Sequence, residues 1–228
     1  MVVKKLIVLL FILVISNQVL AKDYIIPKDG KIVFNIERKD KVIGKHIFLF
    51  NKINNIVNVN IDVNIKVKLG FLTIYKYIHK NKEVWKGSEL YNISTNTITN
   101  SKKEYFVEGK QKNNKFEFTG IDGKKTIDKN IIPISYWNVS LIKSKEFLDS
   151  QKGIIRKLNV KYLEDSTLNF NGKELITEKY QLKILTKHSS DEKPFPIVYL
   201  WYTKEGELMR LEFDSPEDKS IIKYKRIE

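Results

Sequence analysis

The chain has 228 residues and a formal charge of +14, from 41 Lys and Arg against 27 Asp and Glu, and it contains no cysteine. The missing thiols exclude disulfides, thiol catalysis and thiolate metal sites, although a chain of this length can bury a core without such cross-links. The lysines are scattered singly along the sequence and not massed in one arm, which indicates a compositional bias more than a surface for anionic partners.

The N-terminus is organised like a secretory signal peptide. Lys4 and Lys5 form a positive region, residues 6–15 are apolar, and Val19-Leu20-Ala21 has small or aliphatic residues where signal peptidase cleaves. The apolar run is shorter than the about 20 residues of a membrane-spanning helix, although an uncleaved anchor is the alternative. We therefore expect residues 1–21 to be removed near Ala21. The mature chain, periplasmic or secreted, would have no transmembrane segment and no nucleic-acid partner.

Alternation of apolar and polar residues dominates the rest of the chain. Its clearest run covers residues 57–68, where valine and isoleucine alternate with asparagine, aspartate and lysine. This pattern predicts a β-strand with one buried face, roughly 40 Å long at about 3.3 Å per residue. Strands of that length twist and curl in large antiparallel sheets and barrels. Similar runs predict strands over 31–38, 42–51, 71–80, 83–91, 103–110, 115–119, 154–163, 174–187, 197–203, 207–213 and 220–226.

Residues 132–153 break the alternation. Trp137, Leu141 and Leu148 recur there at helical spacing, which predicts a helix or two short turns of helix near 135–149. An amphipathic helix in an antiparallel protein lays its apolar face on the sheet.

The predicted elements fit one domain over residues 22–228, with the helical insertion near 135–149. The fold class is mostly β (α+β). We predict a long curled antiparallel sheet or half-barrel with a short helical segment packed in its concave face.

Several motifs are spread over most of the mature chain. They are Gly44-Lys45-His46, Ile61-Asp62-Val63, Tyr75-x-Tyr77-x-His79-x3-Glu83-x-Trp85-x-Gly87-x2-Leu90, Tyr136-Trp137-Asn138, Leu148-Asp149-Ser150-Gln151-x-Gly153, and Trp201-Tyr202 followed by Gly206-x-Leu208. Together they resemble an uncharacterised family of exported proteobacterial proteins, the domain-of-unknown-function family 6134. The resemblance implies a fold similar to the half-barrel of the periplasmic lipoprotein carriers, and it implies no mechanism.

The richest of these motifs contains a possible acid–base pair. If Asn81-Lys82 is a turn, His79 and Glu83 lie across a hairpin from each other and form a hydrogen-bonded pair beside Trp85. Such a pair can act in acid–base catalysis or supply half of a metal site, or it can satisfy buried rings and fix the hairpin. The structural interpretation is favoured because the motif supplies neither a nucleophile nor a third ligand.

His46 extends this group to a predicted polar cluster of His46, His79 and Glu83. With a carboxylate such as Asp62, the two histidines could form a metal site, but no His-x3-His or His-x-His spacing supports one. The sequence also lacks a nucleophile elbow, a P-loop and a dinucleotide fingerprint. We therefore assign no catalytic residue, metal or cofactor, and the sequence favours a protein that is not an enzyme.

Aromatic residues from several elements form the candidate ligand-binding set, namely Tyr75, Tyr77, His79, Trp85, Tyr136, Trp137 and Trp201. In a curled sheet they would converge, either in a solid core or around an apolar pocket. The leading hypothesis is an exported, non-enzymatic protein that binds a lipid, an acyl chain or another hydrophobic small molecule. The alternatives are a small hydrolase or metal-dependent enzyme at the His79–Glu83 hairpin, and an envelope module that binds another protein without a small ligand.

Overall fold

A computed structural model describes residues 25–69, 71–100, 103–128 and 130–228; the predicted signal peptide, residues 1–21, lies outside them. Within these ranges the chain forms fourteen β-strands in one antiparallel sheet and one short 3₁₀ helix, Val139–Lys143. The strands are β1 (Lys31–Arg38), β2 (Lys41–Ile53), β3 (Ile56–Leu69), β4 (Leu72–Lys86), β5 (Glu89–Ile98), β6 (Glu104–Lys112), β7 (Lys115–Gly120), β8 (Gly123–Asp128), β9 (Glu146–Asp149), β10 (Ile154–Phe170), β11 (Lys173–Ile184), β12 (Val198–Thr203), β13 (Leu208–Asp214) and β14 (Ile221–Arg226).

The sheet consists of two antiparallel meanders, and pairing of the first strand with the last joins them in the middle of the sheet. Its order is β8-β7-β6-β5-β4-β3-β2-β1-β14-β13-β12-β11-β10-β9, so β1 pairs with β14 and Phe34 lies opposite Arg226. The edge strands β8 and β9 do not pair with each other among the described residues, and the sheet is curled but unclosed. This confirms the predicted long curled antiparallel sheet.

Two glycines allow the ends of the sheet to approach each other. A Cβ atom on Gly120 would lie 2.5 Å from the Cα of Gly153, which is closer than any side chain could pack. Beside them, the amide of Ile121 donates a hydrogen bond of 2.9 Å to the carbonyl of Lys152. Because Gly153 has φ of +66°, it also occupies the left-handed region that favours glycine. The turns after β7 and β9 therefore touch where the sheet remains open.

The core lies on the concave face of the sheet. In β3 the inward residues Val57, Val59, Ile61, Val63 and Ile65 are buried, as the predicted alternation requires. They pack against inward side chains of the other strands and against residues 130–145, which we call the crossing segment. The concave face is thus filled from both meanders.

The prediction of a helix near 135–149 is wrong. The crossing segment contains only the five-residue 3₁₀ helix and leads into β9. Long-range hydrogen bonds satisfy its backbone, because the amide of Ile134 donates to Leu148 and the amide of Leu148 donates to the carbonyl of Ile132. The apolar side chains that suggested a helix are nevertheless buried, among them Trp137 and Leu141. No helix in the described part of the chain is long and apolar enough to cross a membrane.

The turn predicted at Asn81-Lys82 is also wrong, because β4 continues unbroken to Lys86. Asn81 pairs with Ile61 on one side and with Thr95 on the other, so two neighbouring strands hold it in the ladder. The turn lies instead after Lys86, at Gly87, whose φ is +57°. As a result, alternate residues of β4 from Tyr77 to Trp85 share the concave face.

Candidate binding cavity

A cavity of about 260 Å³ lies between the sheet and the crossing segment. Its apolar wall includes Ile61, Val63 and Ile65 from β3, Phe147 from β9 and Phe213 from β13. Its polar side chains come from β2, β4, β10 and β14, from the crossing segment and from the segment around β9. The cavity therefore has a mainly apolar surface with polar groups supplied by several elements, a combination that occurs in ligand-binding sites.

A row across three strands brings the two histidines into one wall. His46 of β2 pairs with Val63 of β3, and Val63 pairs with His79 of β4. Since directly paired residues point to the same face, all three side chains enter the concave side. His79 Nδ1 lies 2.7 Å from the Oγ1 atom of Thr97 on the next strand, which fixes its ring.

Both histidines are uncharged near neutral pH. Burial lowers the pKa of His46 to about 3, and the neighbouring His79 lowers it further. Burial likewise lowers the pKa of His79 to about 4, although the carboxylate of Asp149 acts in the opposite direction. The histidines thus offer hydrogen-bonding nitrogens and no charge.

In the part of the chain that the structure describes, two polar atoms of the wall residues are buried without a hydrogen-bond partner, His46 Nε2 and Asn81 Oδ1. The His46 ring packs against Phe48, with ring centroids 4.1 Å apart, and edge-on against Tyr224 at 5.7 Å. The amide nitrogen of Asn81 is occupied, because it donates a hydrogen bond of 2.8 Å to Glu83. Leaving a buried polar atom unpaired costs about 1–3 kcal/mol, so both atoms would gain from a hydrogen-bond partner that reached them from the cavity that their side chains line.

Three tyrosines add neutral hydroxyl groups to the site. Burial raises the pKa of Tyr77, Tyr136 and Tyr224, so all three keep their protons. The Tyr77 hydroxyl donates a hydrogen bond of 3.3 Å to Gln151 at the turn after β9. Tyr136 has φ of +65°, a conformation that bulky residues rarely adopt, and the Tyr202 hydroxyl donates a 2.6 Å hydrogen bond to its carbonyl. Such local strain is common at ligand sites.

Glu83 lies beside the cavity and fastens the crossing segment to β4. Its Oε2 atom accepts hydrogen bonds from the indole nitrogens of Trp85 at 2.9 Å and Trp137 at 3.0 Å, and Oε1 accepts from Asn81. Burial raises the pKa of Glu83, although these donors act in the opposite direction. The prediction of a hydrogen bond between His79 and Glu83 is wrong. Both residues lie on one face of the same strand, and each forms hydrogen bonds with other side chains.

A buried ion cluster holds the loop over residues 185–197 against the cavity. Arg156 Nε donates to Asp149 Oδ2 at 2.8 Å, and its terminal nitrogens donate to both carboxylate oxygens of Glu192 at 2.8 and 3.0 Å. Lys152 also donates to Glu192, at 2.6 Å. From this loop, Phe195 and Pro196 line the cavity, and the guanidinium of Arg156 lies 4.5 Å from the Phe195 ring centroid. The loop is thus fastened by charge pairs to the turn after β9.

The sequence as a whole matches the family described as Domain of unknown function (DUF6134), over residues 34–226. The chain belongs to this family. The match confirms the resemblance carried by the motifs. No curated protein matches the sequence significantly.

The fold has a solved counterpart, the beta-barrel-like protein of domain of unknown function DUF1849 from Brucella abortus. The two structures align with a TM-score of 0.61 at 12% identity, over 87% of this chain and 95% of that chain. Identity this low shows a common fold only. It supports a barrel-like sheet for the DUF6134 chain and assigns it no activity.

The residues predicted to bind a ligand separate into three groups. Tyr75, Tyr77, His79 and Tyr136 line the cavity, together with His46 of the predicted polar cluster. Trp85 and Trp137 are buried beside it at Glu83. Trp201 lies away from the cavity, with the cationic groups of Lys179 and Arg210 5.2 and 5.1 Å from its ring centroid. The part played by each residue in binding stays a prediction.

Sequence reasoning missed Asn81, Tyr224 and the cluster of Asp149 and Arg156. The alternation that runs through β4 could have placed Asn81 on the inner face, but Asn-Lys also suits a turn. Tyr224 and Arg156 reach the cavity through the pairing of β1 with β14 and of β10 with β9, for which the sequence has no local signal. In the described part of the DUF6134 chain, no group of three or more His, Cys, Asp or Glu side chains could hold a metal ion.

Proposed function

We propose that this DUF6134 protein binds a small hydrophobic molecule with one uncharged polar group, and that it binds this molecule in the cavity between sheet and crossing segment. The observation that carries the proposal is the pair of buried, unpartnered atoms, His46 Nε2 and Asn81 Oδ1, on side chains that line a cavity with a mainly apolar surface. A ligand that forms hydrogen bonds with these two atoms removes the cost of leaving them unpaired, and burial of its apolar part adds to the binding free energy.

The size of the cavity limits the ligand. Its 260 Å³ lies just below the about 300–1,000 Å³ of sites for drug-sized molecules. A single short acyl chain or two to three rings fits this volume. The apolar wall of Val63, Ile65 and Phe213 suits such a body, which agrees with the acyl-chain ligand suggested by the sequence.

The electrostatics favour an uncharged polar group. Both histidines are neutral, and Arg156, a cation in the wall, is already paired with Asp149 and Glu192. A carboxylate or ammonium group would lose its hydration without gaining a free counter-charge, which is costly. Asn81 Oδ1 accepts hydrogen bonds, so a hydroxyl or amide N–H is the preferred partner.

The binding would take place outside the cytoplasm, in the periplasm or in secreted material. The support is the sequence of residues 1–21, with its positive region, short apolar run and cleavage site. N-terminal sequencing of exported protein should begin near Lys22, and recovery of intact Met1 from membranes would contradict export.

Displacement of a neutral fluorescent probe tests the cavity. N-phenylnaphthylamine should bind and brighten, and decanol should displace it at lower concentration than decanoate or decyltrimethylammonium. Val63→Phe places a ring between the two histidines and should weaken probe binding by about tenfold or more, because it removes the space for an apolar group.

The matched control is Val59→Ala, on the same strand and face but in the packed core away from the cavity. It should lower stability by about 1–3 kcal/mol and leave probe affinity unchanged. Equal weakening by both variants, or stronger displacement by decanoate than by decanol, would contradict the proposal.

A further inference from the structure

The hairpin of β3 and β4 extends past its neighbours at one end. The ladder between β2 and β3 ends at Gly44 and Ile65, and the ladder between β4 and β5 begins at Ile78 and Ile98. Among the described residues, 66–69 and 72–77 therefore form a two-stranded ribbon with no further strand on either side. At about 3.3 Å per residue, its described part projects roughly 13 Å beyond Ile65.

The end of this ribbon is apolar and faces solvent. Phe71 is fully exposed, Leu72 is 71% exposed, and Ile74 is about half exposed. Soluble proteins rarely expose several large apolar side chains together without a binding role, and a lone two-stranded ribbon is marginally stable in water. We call Phe71, Leu72 and Ile74 the apolar tip.

The backbone at the apolar tip is nevertheless held in place. The side-chain amide of Asn100 donates to the Ile74 carbonyl at 3.0 Å and accepts from the Lys76 amide at 3.2 Å. Asn100 lies beyond the end of β5, so it replaces the ladder partner that β4 lacks at this point. The tip is thus presented by a fixed ribbon.

Positively charged side chains lie beside the tip. Lys66, Lys68 and Lys76 lie on the ribbon and are exposed, and the sequence has no acidic residue between Asp62 and Glu83. Apolar side chains with lysines beside them match a bilayer whose surface carries anionic headgroups, because the apolar groups enter the acyl boundary and the lysines meet phosphates. The same lysines oppose contact between the tips of two copies of this chain, since they would repel each other.

We propose that the apolar tip docks this protein on the surface of an anionic lipid bilayer, with Phe71 inserted among the lipids. Tyr75, at the base of the tip, lines the cavity and is partly exposed, so docking brings that side of the cavity towards the bilayer. This inference goes beyond the proposed function and does not depend on it, since docking requires no ligand in the cavity.

Vesicle flotation tests the docking. All proteins lack residues 1–21, because a retained signal peptide would bind lipid itself, and they keep every strand that the structure describes. The protein should float with vesicles of phosphatidylglycerol and phosphatidylcholine, and much less with phosphatidylcholine alone. Phe71→Ser should reduce binding about tenfold, and a change of Lys66 to Glu should reduce it about fivefold or more.

Matched controls separate the tip from general stickiness and from misfolding. Phe106→Ser removes an exposed aromatic side chain of β6, and Lys161→Glu reverses an exposed lysine of β10; both variants should bind as the parent does. Because Phe71 is fully exposed, Phe71→Ser should leave the thermal unfolding midpoint unchanged.

A second readout measures insertion directly. The native tryptophans are buried, so quenching of Phe71→Trp fluorescence by brominated lipids reports the tip, and Phe106→Trp is its control. We expect quenching in Phe71→Trp alone. Vesicle binding that is absent, or equally reduced by tip and control variants, would overturn the proposal. So would a concentration-dependent dimer that Phe71→Ser abolishes, which would assign the tip to a second copy.

Discussion

Trp137 Nε1 donates a hydrogen bond of 3.0 Å to Glu83 Oε2, and the two residues lie 54 positions apart in the chain. The same oxygen accepts from Trp85, so one carboxylate atom joins the crossing segment to β4. The other oxygen of Glu83 accepts from the amide nitrogen of Asn81, which leaves Asn81 Oδ1 as the atom without a partner among the described residues. The anchoring of the core and the polarity of the proposed site are therefore coupled.

Replacing Glu83 by Gln tests this coupling. The new NH₂ group cannot accept from Asn81, so the Asn81 amide should turn, accept from Gln and point its own NH₂ into the cavity. We expect a loss of about 1 kcal/mol in urea unfolding, and a ligand preference that shifts from decanol towards 2-decanone, which only accepts hydrogen bonds.

The control is Glu104→Gln, at an exposed bond to Asn96, which should change stability by less than about 0.5 kcal/mol. An unchanged preference in Glu83→Gln, together with an unchanged stability, would show that the two residues are not coupled in this way.

Trp137 should behave as a packed core residue. It is almost completely buried and packs edge-on against Trp85 and Phe50, with ring centroids 5.5 and 5.2 Å apart. Trp137→Ala should cost about 3–5 kcal/mol, whereas Trp137→Phe keeps most of the packing and should cost about 1–2 kcal/mol for the lost bond to Glu83. Denaturant unfolding measures both, and a cost for Trp137→Ala below that of Trp137→Phe would contradict this packing.

The buried histidines predict a stability that falls with acidification. Because the folded pKa of His46 is about 3 and the reference value is 6.5, its contribution is complete above pH 6.5 and is lost as pH falls towards 3. Glu83 acts oppositely, since its raised pKa favours the folded state as pH falls. The His46→Phe variant keeps Glu83, so the difference between its pH-dependent stability and that of the parent gives the contribution of His46.

Between about pH 7.5 and pH 5, the parent should lose about 2 kcal/mol more than His46→Phe. Urea unfolding at both pH values gives this difference. Parallel losses in the two proteins would mean that His46 becomes protonated in the fold without penalty.

Glu192 should control the loop over residues 185–197. Burial would raise its pKa, but hydrogen bonds from Arg156, Lys152 and the His188 amide hold that pKa at about 2. Glu192→Gln leaves Asp149 as the one carboxylate paired with Arg156, and we expect a loss of about 3 kcal/mol and faster release of the fluorescent probe. Stopped-flow dissociation measures the release. As the control, Asp191→Asn at the neighbouring exposed position should change neither the dissociation rate nor the stability. Identical dissociation rates in both variants would show that the loop does not control ligand release.

The strands were predictable because burial of one face leaves a period of two in the sequence, as in Val57 to Ile65. The same rule failed in β4, where inward positions are polar and Asn81 with Lys82 also suits a turn. Pairing with Ile61 and Thr95 decides the conformation there, and those partners are distant in sequence.

The prediction of a helix in the crossing segment failed for a related reason. The spacing of Trp137 and Leu141 suits a helix, but the hydrogen bonds between the backbone of Leu148 and residues 132 and 134 hold the chain extended. The aromatic wall was predicted in part, since Tyr75 and Tyr77 reach the cavity. Trp201 does not, because Leu200 and Tyr202 beside it take the inward positions.

Methyl NMR during titration with decanol tests the central claim most directly, because one strand contains both the site and its control. Val63 and Ile65 line the cavity, Val57 and Val59 lie on the same face of β3 in the packed core, and Ile74 marks the apolar tip. We predict saturable shifts of the Val63 and Ile65 methyl signals, with little change at Val57 and Val59. Shifts confined to Ile74, or no saturable shift at Val63 and Ile65, would contradict a binding site inside the sheet.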